Sequence, residues 1–94
     1  GVWDGVRLLP EGWVERARTP VEPTVNEACW YGSHWWLWDD RTGAFACHGY
    51  EGQYIVVVPS RDLVIVRLGK TDAAYGPDIR AWLTDMIECF EEQR

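Results

Sequence analysis

The sequence predicts an α+β domain, an antiparallel sheet of about four strands in a meander with an amphipathic C-terminal helix packed on it. Three observations carry this. Tyr54–Val58 and Leu63–Leu68 are almost unbroken runs of β-branched and aliphatic residues, each of strand length. Pro59-Ser60-Arg61-Asp62 between them has turn chemistry at hairpin length, which pairs the runs antiparallel. Near the C-terminus, Ile79, Trp82, Leu83, Met86, Ile87 and Phe90 fall on one helical stripe.

Taken in order, Gly1–Gly5 is a turn-like start. Leu8–Val14 is a helix entry, with Pro10 near the first helical position and Glu11 in the first turn. That helix stops before Thr19-Pro20, and Thr19–Glu27, with two prolines and no periodicity, is a loop. Cys29–Trp38 reads as one aromatic-rich strand. Its parity puts Trp30, His34, Trp36 and Trp38 on one face, and Cys29, Tyr31, Trp35 and Leu37 on the other. In that setting His34 is expected to be a packed core histidine. Asp39–Gly43 turns into a short strand at Ala44–His48, and Gly49-Tyr50-Glu51-Gly52 turns again into the hairpin. Pro77 opens the last helix, with Gly76 as its N-cap.

Neither long strand alternates apolar with polar residues, so both faces of the hairpin need cover. The C-terminal helix supplies one. The short helix at Leu9–Ala17 is too small to supply the other, and the chain reads as one domain portion, 1–94, that is incomplete on its own. The lack of a starting Met agrees with a processed chain or a piece of something longer.

Composition narrows the function. A net charge of −6 disfavours nucleic acid and anionic membrane surfaces as partners. No apolar run approaches the roughly 18 residues of a membrane helix. The three cysteines, Cys29, Cys47 and Cys89, have no regular spacing and sit in apolar patterns, where a free thiol packs as a small hydrophobe. Cys47 and His48 are adjacent, which is poor geometry for zinc, so no metal or cofactor is expected. Reduced cysteines are compatible with the cytoplasm. Seven tryptophans call for either a large shared core or a binding surface.

Nucleophile signatures are missing. No hydroxyl sits in a Gly-x-Ser-x-Gly elbow or a Ser-x-x-Lys motif. Gly69-Lys70-Thr71 lacks the upstream glycine of a phosphate loop. Arg41-Thr42-Gly43 and Lys70-Thr71-Asp72 resemble a Lys-Thr-Gly tripeptide only by coincidence. His48 ends a strand beside a glycine-rich turn with Tyr50, Glu51 and Gln53, a setting in which polar side chains line ligand sites.

The order of motifs resembles the C-terminal part of serine hydrolases of the β-lactamase and penicillin-binding-protein family. The closest likeness is to the class C-like branch of esterases, peptidases and 6-aminohexanoate-dimer hydrolases. Arg7–Val14 is similar to that family's late "LLs/pe-WV" helix start, and Tyr31–Leu37 to its "YGyGWWl" strand. Gly49–Pro59 with Asp62–Val66 is similar to its "GxGGQ-I-VVP-xDLVVV" ending, the most specific part of the likeness. The resemblance implies a fragment of the β-lactamase-like fold. In that family the C-terminal strands pair with N-terminal ones, helices from both ends cover the outer face, and an all-helical region closes the active site from the other side.

The family's Ser-x-x-Lys and Tyr-x-Asn motifs, which form and resolve an acyl-enzyme, are not in these residues, so no catalytic residue is assigned and the chain alone is expected to be inactive. The family's Lys-Thr-Gly or His-x-Gly strand matches Ala44–Gly49. By resemblance His48, Gly49, Tyr50 and Glu51 form a substrate-binding wall of the cleft, with Gln53 structural. The departure from Lys-Thr-Gly argues against penicillin-type carboxylate recognition. The implied partners are the N-terminal part of the hydrolase domain, or another copy, and a small amide or ester substrate in the intact enzyme. The competing expectation is a small aromatic-rich binding or oligomerisation module whose tryptophan strand meets the partner.

Overall fold

The computed structural model describes residues 1–21, 29–38 and 42–93. It is α+β. Strands β1 (Val2–Trp3) and β2 (Val6–Arg7) form a small hairpin, followed by helix α1 (Trp13–Ala17). Strands β3 (Cys29–Tyr31), β4 (Trp36–Trp38), β5 (Phe45–Gly49), β6 (Gln53–Val58) and β7 (Leu63–Arg67) make one antiparallel sheet in sequential order. Helix α2 (Gly76–Glu88) closes the chain. The meander and the C-terminal helix are as the residue pattern predicts, with five strands in place of about four.

The extra strand comes from the tryptophan segment, which is a hairpin and not a single strand. Gly32 N–H donates to Trp35 O at 2.8 Å, and His34 takes a positive φ of 70° in the turn. The reversal changes the faces. Tyr31 lies across from Trp36 and Trp30 across from Leu37, so Tyr31 joins the Trp36 and Trp38 side while Trp30 leaves it. His34 is exposed at the turn and is not a core histidine. Glycine is required at position 32, because a Cβ there would stand 2.1 Å from the carbonyl oxygen of Ala17 at the end of α1. Ser33 N–H bonds that same carbonyl at 3.0 Å, which docks the turn on α1.

The opening five residues also differ from expectation. Asp4 and Gly5 both have positive φ, the geometry of a two-residue hairpin turn, and they join β1 to β2. Helix α1 is shorter than the predicted Leu9–Ala17, beginning at Trp13 after Gly12 at φ 80°. The predicted loop Thr19–Glu27 and turn Asp39–Gly43 fall largely outside the described residues.

The core lies between the sheet and α2. Register places Trp36, Ala46, Val56 and Ile65 in one row, and Ile79, Leu83 and Ile87 of α2 pack on that side. Small Ala46 at the centre lets the helix approach, and each buried aliphatic side chain contributes roughly 1.5–3 kcal/mol. Trp82 and Phe90, although on the predicted stripe, sit at its margin and stay half-exposed. Cys89 follows the last helical turn and is exposed, not packed, while Cys47 is half-buried.

The opposite face carries Leu37, Phe45, Val57 and Val64 in register. Its β3–β5 side is partly covered, with Trp35 edge-on to Phe45 at 4.9 Å and Arg18 stacked over the Phe45 ring at 4.7 Å. Its β6–β7 side is bare. Val64 and Val66 are 60% and 58% exposed, Ile55 is 42% and Leu68 is 74%. β7 is also one of the two edge strands of the sheet, the other being β3.

The C-terminal end of α2 is held by the β6–β7 turn. Arg61 Nη1 donates to the carbonyls of Ile87 and Phe90, Arg61 Nη2 lies 3.7 Å from Glu88, and Gln93 N–H donates to Ser60 O at 2.7 Å. The Ile87 carbonyl, which also accepts Phe90 N–H at 3.0 Å, and the Phe90 carbonyl just past the helix thus meet a cation at the negative end of the helix dipole. Replacing Arg61 by Ala is expected to cost about 1–2 kcal/mol, with Arg61→Lys recovering part of it. Urea unfolding of the three chains measures this, and an unchanged midpoint for Arg61→Ala would refute the capping role.

Candidate functional site

The β5–β6 turn is the best-built polar feature near the predicted site residues. Gly49 and Gln53 pair as the last rung of the hairpin, and Tyr50-Glu51-Gly52 bridges them. Glu51 and Gly52 have φ of 65° and 84°, left-handed conformations that a non-glycine residue adopts only when held. The holding groups come from the segment after β7. Arg67 Nη1 donates to Gly52 O at 2.6 Å and Arg67 Nη2 to Thr71 Oγ1 at 2.7 Å, while Thr71 N–H donates to Glu51 O at 3.0 Å. Gln53 Nε2 reaches back to Tyr50 O at 3.2 Å. The predicted structural role of Gln53 fits this bond.

Between this turn and the start of α2 lies an open depression of about 470 Å³, bounded by Gly49, Tyr50, Glu51, Tyr54, Thr71 and Asp72. Three of the four predicted site residues, Gly49, Tyr50 and Glu51, therefore meet. Tyr50 is almost fully exposed, while Glu51 is half-buried. Thr71 and Asp72 were not foreseen. Asp72 caps the short turn before α2 by accepting from Ala74 N–H at 2.9 Å, a role that its spacing before Pro77 signals only weakly. A larger furrow of about 590 Å³ lies between the N-terminal hairpin and α1, remote from these residues.

His48 points elsewhere. Its ring is turned to the α2 side of the sheet, stacked on Trp36 at 5.3 Å between centroids and edge-on to Tyr54 at 4.9 Å. Its Nε2 accepts the indole N–H of Trp38 at 3.1 Å, which leaves the ring proton on Nδ1. Burial first, and the positive charge of Arg80 second, lower its pKa from 6.5 to about 4, so the ring is neutral at pH 7. Arg80, on α2, lies over the Trp38 ring at 3.6 Å. This is a packed aromatic cluster that joins the sheet to the helix. β5 is itself an inner strand between β4 and β6, so only its Gly49 end reaches the depression.

No group of three or more His, Cys, Asp or Glu side chains is placed to hold a metal among the described residues. No helix among them is long and apolar enough to cross a membrane. Comparison with known proteins finds no matching family model and no matching curated relative.

The turn's geometry is testable. A Cβ on Gly52 would stand 2.7 Å from Ile79 Cδ1 and 3.1 Å from Arg67 Nη1, at a φ that disfavours any side chain. Gly52→Ala is expected to destabilise the chain by about 1–3 kcal/mol, which thermal unfolding reads as a drop of several degrees. An unchanged midpoint would show that this turn is not held as described.

Proposed function

We propose that the chain is the C-terminal portion of a β-lactamase-like serine hydrolase, supplying sheet strands, a closing helix and one wall of the active-site cleft. The observation that carries the reading is the condition of β7. It is an edge strand of the sheet, its Val64 and Val66 are exposed on one face, and the opposite face is already covered by α2. An apolar edge strand open on its side and on one face calls for a further strand and a further layer. In the family that the motifs resemble, N-terminal strands and helices take those places. The order of the resembling segments along the chain supports the same reading.

On this reading the catalytic serine, its lysine and the tyrosine come from outside these residues. Gly49, Tyr50 and Glu51 contribute to the cleft wall with Thr71 and Asp72, and His48 supports that wall from behind. The alternative of a tryptophan-strand binding module has less support, because Trp36 and Trp38 pack around His48 and leave Trp30 as the exposed tryptophan of that hairpin.

The test is to express the longer reading frame that encodes this segment and the 94-residue chain separately. The longer product is expected to carry Ser-x-x-Lys, to hydrolyse nitrophenyl esters and to be labelled covalently by a fluorophosphonate. The chain alone is expected to be inactive, to bind a dye that reports apolar surface, and to self-associate. A soluble, dye-free monomer, or a reading frame without that serine motif, would overturn the proposal.

A further inference from the structure

We propose that His48 is an acid-sensitive latch between the sheet and helix α2. The inference rests on the aromatic cluster and is independent of the hydrolase reading. Trp38 is only 3% exposed, and its indole N–H must find an acceptor inside the protein. The acceptor is His48 Nε2 at 3.1 Å. The opposite face of the arrangement belongs to α2, whose Arg80 guanidinium rests on the Trp38 ring at 3.6 Å. One side chain of β4 thus takes a hydrogen bond partner from β5 and a cation–π partner from α2.

A proton on His48 goes to Nε2, because Nδ1 already carries one. It removes the acceptor of the Trp38 N–H and leaves that buried donor without its partner. It also places a second positive charge in the same cluster as Arg80. Among the described residues, the groups facing His48 carry no negative charge. β4 presents Trp36 and Trp38, β6 presents Tyr54, and Arg67 of β7, paired with Tyr54 across the sheet, is a further cation engaged by Gly52 O and Thr71. α2 presents Arg80. The neutral ring therefore suits the closed cluster and the protonated ring suits an opened one.

The direction with pH follows. In the opened state His48 regains an ordinary pKa near 6.5, whereas in the closed state it is held at about 4. Closure is fully favoured above pH 6.5, and the opened state gains as pH falls from there towards about 4. The part-exposed ring is screened by solvent, which tempers the effect without changing its sign.

Hydrogen exchange read by mass spectrometry tests the latch in the monomer or in any assembly the chain forms. Rates at about pH 7 and about pH 4.5, corrected for intrinsic exchange, are compared for the parent chain and His48→Gln. Glutamine can accept from Trp38 N–H through its amide oxygen and does not titrate in this range. In the parent chain, α2 peptides are expected to lose protection by about tenfold more than β6 and β7 peptides on acidification, the change that one pKa unit of linkage produces. In His48→Gln that selective loss should vanish. Equal loss across the chain, or the same selective loss in the variant, overturns the proposal. Should the variant prove poorly folded at pH 7, titration of the His48 imidazole in the parent chain decides the matter. A midpoint well below 6.5 supports the latch and an ordinary midpoint sinks it.

Discussion

The contact between α2 and the β4–β7 sheet carries the rest of the molecule. Ala46, Val56 and Ile65 present a smooth apolar row, and Ile79, Leu83 and Ile87 lie on it as three successive turns of one helix face. Ala46 sits where a larger side chain would lift the helix away, and it is completely buried. Because α2 packs so closely, both of its ends come within reach of the sheet's turns. Asp72 and Thr71 set its start beside the β5–β6 turn, while Arg61 and Ser60 hold its end from the β6–β7 turn. The helix is thus tied near both ends to turns of the sheet that it covers.

The same hairpin has a second apolar face with no equal cover. Strands with one wet face alternate apolar and polar residues, and β6 and β7 do not. Val56, Val58 and Ile65 are satisfied by α2, whereas Ile55, Val64 and Val66, one residue out of phase with them, face outwards. A one-residue offset is the whole difference between core and exposed surface, since successive strand residues alternate faces. The sequence pattern that specifies the core therefore also specifies a demand for another layer. Self-association can answer that demand, and so can further polypeptide.

Much of this was legible in the residues. The β6–β7 hairpin, its turn at Pro59–Asp62, the covering helix and the uncovered face all follow from unbroken apolar runs and one helical stripe. The tryptophan hairpin was not, because large apolar residues on both parities of Cys29–Trp38 erase the alternation that would betray a reversal. Its signal was Gly32-Ser33, turn residues with a β-bonding run on each side. Asp4-Gly5 gave a stronger hairpin signal between Val2-Trp3 and Val6-Arg7 that a reading as plain turn undervalued. At the site, adjacency in sequence brought Gly49, Tyr50 and Glu51 together, whereas the His48 ring packs among Trp36, Trp38 and Tyr54. Thr71 and Asp72 arrive from about twenty residues away, and only tertiary packing shows that they meet the turn.

The turn also bears on what a cleft wall built here can recognise. Its strongest cation is Arg67, and the guanidinium is committed to Gly52 O and Thr71 Oγ1. That charge organises the wall and faces the protein's own oxygen atoms. Gly52, with no side chain, lets Arg67 and Ile79 close against the backbone, so the positive φ at Glu51 is fixed by bonds on either side of it. A wall arranged in this way presents backbone groups, tyrosine rings and carboxylates outward. Under the proposed reading, the departure from Lys-Thr-Gly is then a change in kind: a cation that in the family borders the substrate is replaced by one that holds the loop. Under that same reading, uncharged or amine-bearing esters and amides would suit such a wall better than a substrate that must be gripped by its carboxylate.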